Sequence, residues 1–258
     1  MTTKARTAQG ATTSVIDTLR QAGSSKLVFP RGAMATELQA VLVNTAGGIT
    51  GGDRFSLAAT AGPGTHLTLT TQAAERAYGA QPGETGRLRN RLTVEAGAAM
   101  HWLPQETILF EKSALRRDMQ VDLAADARLL FVETVVLGRA AMGEDLHDIT
   151  FADRVEIRRA GTPVFLDAAQ LTGDAQAQMA RNAGGARAFA SLVYVAPDAE
   201  ALLGPVRETL SPTAGASLLG PELLHLRALA PDGFTLRQTL VPALQLLRQG
   251  PLPRTWMI

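Results

Sequence analysis

The sequence of 258 residues contains no cysteine, which excludes disulfide bonds and thiolate metal ligands. Its formal net charge of +1 argues against a general attraction to nucleic acid or to anionic membranes. The longest apolar run, 129–137, is interrupted by Glu133 and is shorter than the roughly 18 residues that a membrane helix needs. Residues 1–13 have no apolar core of a secretory signal. These features predict a soluble protein of the cytoplasm.

Motifs of catalysis are missing as well. No P-loop, nucleophile elbow or zinc-binding spacing occurs, and no two of the four histidines are four residues apart. His101 stands next to Trp102, and we interpret it as a packed, hydrogen-bonded residue rather than a metal ligand. Because no nucleophile, base and orienting group stand in a recognisable relation, we expect a protein that is not an enzyme.

The most distinctive stretch is 44–54, which contains two Gly-Gly pairs separated by Ile49 and Thr50 and closes on Asp53. Glycine adopts positive φ and lets other backbone approach closely, so the stretch predicts two sharp bends in quick succession. An aspartate after the last pair would repel a phosphate, so a phosphate site is excluded. A tight double turn capped by Asp53 and a functional surface both remain open.

Residues from about 24 to 170 alternate apolar and polar side chains in short runs, the period of half-buried strands. A strand, a turn of small residues and a second strand recur at intervals of roughly 30 to 35 residues, as in stacked units that bury their faces on one another. The four copies are Ser56–Thr70, Arg91–Leu103, Gln120–Glu133 and Arg154–Asp167. The pattern predicts a mainly β protein, a layered β-helical or sandwich-like scaffold.

The last third differs in pattern and predicts a few helices, over 199–210 and 236–249. Asp198 is the expected N-cap of the first helix and Gly250 the residue that ends the second, which we expect to begin near Pro242. Strands are expected around 216–219 and 224–229. We divide the chain into a poorly ordered lead-in, 1–23, and one β-rich domain, 24–258.

Two acids interrupt apolar segments. Glu133 lies within a run that is apolar on both faces, as in a central strand, and Glu106 follows Trp102–Gln105. A buried carboxylate is unfavourable by several kcal/mol unless it is paired or hydrated. Either these acids form internal ion pairs, for instance with Arg139 or Arg154, or they line a polar cavity. A second acidic group is interpreted as a solvated loop, and its members are Asp145, Asp148 and Asp153.

Several blocks together resemble, in order and spacing, the urease accessory protein UreD (UreH) family over about 25–258. Those blocks are Asn44–Asp53, Thr71–Ala74 with Tyr78, Trp102–Thr107, Leu137–Arg139 with Gly143 and Glu144, Asp153–Glu156 and Pro253–Trp256. The segment before the glycine stretch is shorter than in many members, and Gly79 replaces a basic residue often found after the tyrosine.

The resemblance implies a non-enzymatic chaperone or scaffold for urease maturation. It would assemble with UreF, with the GTPase UreG through UreF, and with the urease apoprotein, so that nickel is inserted into the active site. No tightly bound cofactor is implied; nickel would pass in transit. The acids most like those proposed to line an internal path in this family are Asp53, Glu133, Glu144 and Glu156.

Two other classes of protein remain open at this stage. One is a repeat-β enzyme or carbohydrate-binding protein that uses Glu106 and Glu133 as a buried carboxylate pair, provided that their separation suits glycosidic chemistry. The other is a structural β protein whose buried ions have no function of their own. Association with urease subunits would distinguish the resemblance-based hypothesis from both.

Overall fold

The computed structural model describes residues 1–8, 11–30, 36–139 and 142–257, which form two β-sheets and three α-helices. The strands are β1 (Thr2–Ala8), β2 (Ala11–Thr18), β3 (Ser25–Val28), β4 (Glu37–Asn44), β5 (Arg54–Ala61), β6 (His66–Thr71), β7 (Glu75–Ala77), β8 (Gly86–Val94), β9 (Ala99–Leu103), β10 (Thr107–Leu109), β11 (Ala114–Leu123), β12 (Arg128–Leu137), β13 (Ile149–Arg159), β14 (Thr162–Gly173), β15 (Ala188–Val195), β16 (Ala214–Gly220) and β17 (Leu223–Ala230). The helices are α1 (Ala175–Asn182), α2 (Ala199–Glu208) and α3 (Gly233–Arg248), and a 3-10 turn spans Arg254–Trp256.

The two sheets are layered face to face. The seven-stranded sheet has the order β14-β13-β11-β8-β5-β1-β2. The ten-stranded sheet has the order β16-β17-β15-β12-β9-β6-β4-β3, and in addition β10 pairs with β12 and β7 pairs with β10. Side chains of both sheets, such as Leu92 and Val121 from one and Leu69 and Phe131 from the other, share one buried cluster. The architecture confirms the prediction of a layered, mainly β scaffold.

Three of the four predicted repeat units have the same structure. In each, a strand of the seven-stranded sheet is followed by a short turn and a strand of the ten-stranded sheet: β5 with β6, β8 with β9, and β11 with β12. Equivalent strands of successive units pair in parallel, as in a β-solenoid. The fourth unit differs, because β14 turns back antiparallel to β13 and remains in the same sheet.

The glycine stretch forms the corner at which the chain passes from β4 in one sheet to β5 in the other. Gly47 and Gly52 have φ of 80° and 81°, a conformation that disfavours side chains. The Asp53 carboxylate accepts a hydrogen bond from the Thr50 backbone N–H at 2.9 Å, which closes the second bend. The predicted double turn capped by Asp53 is therefore confirmed.

The first 18 residues correct the expectation of a poorly ordered lead-in. β1 and β2 form an antiparallel hairpin, and β1 lies against β5 at the edge of the seven-stranded sheet. The buried Thr3 hydroxyl shares a 2.8 Å hydrogen bond with Thr65 and accepts one from the Gly62 N–H. Polar side chains alternating on an edge hairpin produce little apolar signal, which is why the pattern did not reveal these strands.

The helices occupy the C-terminal third as predicted, with differences in detail. α2 and α3 pack on the face of the ten-stranded sheet that points away from the other sheet, where Leu226, Leu236 and Leu240 share a buried cluster. α3 begins at Gly233, capped by Asp232, and runs through Pro242 rather than starting there. The strands predicted around 216–219 and 224–229 are present as β16 and β17.

The predicted helix ends differ from the structure in detail. α2 begins directly after Asp198, as predicted, but the Asp198 carboxylate does not cap it and instead accepts hydrogen bonds from the Tyr194 hydroxyl and the Gln249 side chain. α3 ends with Gln249, not Gly250, in the left-handed conformation. Helix α1 was not predicted from the sequence. None of the helices within the described ranges is both long enough and apolar enough to cross a membrane.

Candidate functional site: a charged cluster between the sheets

Three charged side chains meet in the space between the two sheets. Glu133 projects there from β12, because it follows Leu129 and Phe131 at alternate positions of that strand. Arg117 of β11 and Asp153 of β13 project from the opposite sheet by the same alternation. Their side chains are 13%, 6% and 13% exposed, respectively. We call these three residues the buried charged cluster.

Hydrogen bonds connect every member of the cluster to its surroundings. The Arg117 guanidinium donates to the Asp153 carboxylate through Nε at 3.2 Å and Nη2 at 2.5 Å, the bidentate geometry that suits this pair. Its Nη1 donates to Glu133 Oε2 and to Thr107 Oγ1, each at 2.8 Å. Trp102 Nε1 donates to Glu133 Oε1 at 2.8 Å. One guanidinium therefore joins two carboxylates from different sheets.

The surroundings shift the pKa values of Glu133 and Arg117. Burial raises the pKa of the Glu133 carboxyl above its ordinary value, and the adjacent Arg117 opposes that shift. Burial would lower the pKa of Arg117, but Asp153 and Glu133 more than compensate and raise it. The ion-pair interpretation of Glu133 is confirmed, but its partner is Arg117; Arg139 and Arg154 instead pair with Glu144 and Glu156. Asp153, expected in a solvated loop, lies in β13.

The cluster separates two cavities. A cavity of about 520 Å³ extends from Arg117, Glu133 and Asp153 toward Ser191 and Arg227. A smaller cavity of about 40 Å³ lies on the other side, toward the glycine corner, and also has Arg117 and Glu133 in its wall. The sequence left two roles open for Glu133, an internal ion pair or the lining of a polar cavity. The structure shows both, since Glu133 pairs with Arg117 and lies in the cavity walls.

The smaller cavity contains unsatisfied polar groups. Asn90 Oδ1 and Gln105 Nε2 are buried in its wall and have no hydrogen-bond partner within the described part of the chain. Buried polar atoms are almost always hydrogen-bonded, so these two atoms indicate a space suited to an ordered water. Asn44 and Glu75 line the same cavity, and Asn44 Nδ2 donates to Glu75 at 3.1 Å.

The other three candidate acids lie apart from the cluster. Asp53 belongs to the glycine corner, as described. Glu144 accepts hydrogen bonds from the Arg139 side chain and from the Glu111 N–H, and the Arg139 bond is the main cause of the lowered pKa of Glu144. Glu156 points to the opposite face of β13 from Asp153, between Arg154 and Arg158. Their hydrogen bonds lower the pKa of Glu156.

A second buried polar group contains Glu37, His66 and His101, which are near enough together to share a metal ion. Arg248 of α3 already binds two of these three residues: its guanidinium donates to His101 Nδ1 at 2.7 Å and to Glu37 at 2.8 Å. The guanidinium supplies the positive charge that a metal would bring, so we interpret the group as a junction between α3 and the ten-stranded sheet. His101 is packed and hydrogen-bonded, as predicted.

Sequence reasoning missed Arg117 and Asp153 as partners of Glu133, although a signal was present. Both stand at positions where the alternation of their strands requires an inward side chain, between Leu115 and Met119 and between Phe151 and Val155. It also missed the contact between His66 and His101. Their separation of 35 residues is close to the repeat interval, so they occupy similar positions in successive units. No described hydrogen bond joins Glu106 to Glu133, the carboxylate pair of the enzyme hypothesis.

Comparison with known proteins gives the same family that the sequence blocks resemble. The family model described as UreD urease accessory protein matches residues 2–257. A urease accessory protein UreD of Ruegeria pomeroyi is 54% identical over 249 residues, covering 96% of each chain. Those of Roseobacter denitrificans and Rhizobium etli are 49% and 44% identical, covering 95% and 92% of this chain and 90% and 88% of their own. The match includes the first strands as well as the blocks identified above.

Proposed function

The chain belongs to the UreD family of urease accessory proteins, and from this membership we propose that it is a non-enzymatic chaperone or scaffold for urease maturation. It would assemble with UreF, with UreG through UreF, and with the urease apoprotein in the cytoplasm, so that nickel reaches the urease active site. The observation that carries this proposal is the family match over nearly the whole chain.

The chemistry of the interior supports transit of nickel rather than storage. Nickel favours nitrogen and sulfur donors, but the chain has no cysteine, and the Arg248 guanidinium already binds Nδ1 of His101. Carboxylates in a hydrated passage bind an ion weakly enough for it to move on. Arg117, fixed beside Glu133 and Asp153, further disfavours a resident cation.

Within this proposal Glu133 is the interior contact of the ion, because it lies in the walls of both cavities. Asp53, Glu144 and Glu156 would contact nickel outside these two cavities, since none of them lies in their walls. Passage between the cavities requires the Arg117 side chain to move, since its guanidinium stands between the two acids.

The test is the substitution Glu133→Gln in cells that produce urease. This change keeps the size of the side chain and a hydrogen-bond acceptor for Trp102 but removes the charge. We expect the variant to co-purify with UreF and the urease apoprotein as the wild type does, while urease activity and urease-bound nickel fall severalfold. Glu208→Gln, an exposed change at the end of α2, is the matched control and should leave activation unchanged.

Three results would each contradict part of the proposal. Unchanged activation with Glu133→Gln would remove that residue from the nickel route but leave the scaffold function intact. Normal urease maturation in cells that lack the protein would refute the scaffold function itself. Tight, stoichiometric nickel binding by the purified chain in isothermal titration would replace transit by storage.

A further inference from the structure

The outward face of the seven-stranded sheet carries four exposed arginines that we call the arginine cluster. Arg54 lies on β5, Arg87 and Arg89 on β8, and Arg116 on β11, three adjacent parallel strands. Arg87 is directly opposite Arg54 on one side and Arg116 on the other. Three guanidinium-bearing residues therefore form one line across the sheet.

This arrangement is unfavourable within the chain alone. Neighbouring strands are only about 4.8 Å apart, and like charges directly opposite one another destabilise a sheet. Further along the same face, Arg154 and Arg158 flank Glu156 and are paired. By contrast, no member of the arginine cluster forms an ion pair in the ranges that the structure describes. The cluster concentrates positive charge in a protein whose formal net charge is only +1.

Two grooves run between the arginine side chains. One, of about 450 Å³, is bounded by Arg54, Ser56, Arg87 and Arg89. The other, of about 180 Å³, lies between Arg87, Arg89 and Arg116 and ends at Asp118. Guanidinium groups on both sides of a groove can each bind a carboxylate through two parallel hydrogen bonds.

We propose that the arginine cluster binds an acidic segment, rich in Asp and Glu, of a protein that assembles with this chain. A carboxylate bound between two arginines would attract both guanidinium groups and so offset their mutual repulsion. This gives a physical reason for a cluster whose members form no ion pair within the described part of the chain. The cluster is only three strands wide, and beyond it the same face carries Asp118, Asp122 and Glu156 interspersed with Arg154 and Arg158. This mixture of charges offers no continuous attraction to a long polyanion such as nucleic acid, and this favours a short acidic protein segment.

Fluorescence anisotropy of a labelled octaglutamate peptide with the purified full chain tests the proposal. The wild type should bind the peptide, and binding should weaken steeply as salt is raised, because exposed charges are screened. The triple variant Arg54→Gln, Arg87→Gln, Arg116→Gln should bind at least about tenfold more weakly, a loss of roughly 1.4 kcal/mol. It should not melt earlier than the wild type, since the substitutions remove like-charge repulsion.

A charge-matched control removes three other exposed arginines and is Arg6→Gln, Arg20→Gln, Arg181→Gln. This control should stay within about twofold of the wild-type affinity, because a change of net charge alone acts weakly at distance. Equal loss of binding in both triples, or no binding by the wild type, would overturn the proposal. Displacement of the peptide by duplex DNA or inorganic phosphate at lower concentration than by unlabelled octaglutamate would also overturn it, in favour of a general polyanion or phosphate site.

Discussion

At the scale of single residues, the interior is organised by charges whose partners come from distant parts of the sequence. Arg117 donates hydrogen bonds to Glu133, 16 residues away on the opposite sheet, and to Asp153, 36 residues away on the neighbouring strand of its own sheet. Paired in this way, the three groups avoid the large penalty that each would suffer alone when taken out of water. Removing the guanidinium therefore affects the fold more than removing either acid.

The substitution Arg117→Met tests this view. It leaves Glu133 and Asp153 buried without a counter-ion, and we expect the free energy of unfolding to fall by about 3 to 5 kcal/mol. Urea denaturation measures the loss. The triple variant with Glu133→Gln and Asp153→Asn should regain most of it, because no uncompensated charge remains. Failure of the triple to recover stability would mean that the loss comes from packing.

A second residue-scale prediction concerns acid pH. Burial lowers the pKa of His101 well below 6.5, and the nearby His66 and Arg248 act in the same direction. Burial likewise lowers the pKa of His66. A histidine whose pKa is lower in the folded state binds its proton more readily when unfolded, so its stabilising contribution is present above pH 6.5 and is lost as pH falls below it.

We therefore expect the free energy of unfolding to decrease between pH 7 and pH 5, by up to about 1.4 kcal/mol per pH unit for each proton taken up. Urea denaturation at a series of pH values gives the slope. The double variant His66→Gln, His101→Gln should be less stable at pH 7 but show a shallower slope. An identical slope in this variant would assign the acid sensitivity to other groups.

At the scale of elements, the glycine corner shows why small residues are required where the chain changes sheets. Gly47 and Gly52 are needed for their backbone conformation, whereas Gly48 and Gly51 are needed for space. A Cβ added at Gly48 would lie 2.7 Å from the backbone oxygen of Arg76 and would collide with the Tyr78 ring. The observed conformation of the corner therefore leaves no room for a side chain at Gly48 or Gly51.

Gly48→Ala should accordingly destabilise the protein by about 1 to 3 kcal/mol, the range seen when atoms are forced into a packed interior. Thermal and urea denaturation measure the change. Gly204→Ala is the matched control: this glycine lies within α2, and no atom beyond its chain neighbours would contact an added Cβ. The helix propensity of alanine and its crowding against Pro205 act in opposite directions, so the free energy of unfolding should change by less than about 1 kcal/mol. A neutral Gly48→Ala would show that the corner moves to accept a side chain.

At the scale of the whole molecule, the stacked units leave strands whose edges must be covered. β1 and β2 lie beyond β5 in the seven-stranded sheet, and the Met1 amino group donates to the Ala58 carbonyl oxygen at 2.7 Å. An uncovered strand offers unpaired backbone groups to other chains, which promotes aggregation. The hairpin therefore protects the end of β5 around Ala58 and Thr60.

Deletion of residues 1–18 should increase the aggregated fraction in size-exclusion chromatography with light scattering. Adding Ala58→Lys to the deletion should reduce that fraction, because a lysine on an exposed edge strand opposes pairing with another chain. A deletion variant that remains monomeric and melts like the full chain would show that the hairpin does not protect β5.

The sequence predicted features with local, repeated signals better than features that depend on packing. Strand alternation and the interval of roughly 30 to 35 residues predicted stacked β units, because both signals are local and repeated. The same signals did not distinguish the fourth unit, whose second strand turns back within the sheet. Pro242 indicated a helix start, yet α3 continues through it from Gly233 to Arg248 and packs its apolar face against the ten-stranded sheet.

The sequence by itself determined the class of fold, the double bend at the glycines and, through blocks in a recognisable order, the family. These properties depend on residue type and local spacing, which a chain displays before it folds. Only the tertiary structure decided which charge pairs with which, that Glu133 stands between two cavities, and that Arg54, Arg87 and Arg116 form a line. Such pairings depend on the register between strands far apart in sequence, and register is settled only when the two sheets pack together.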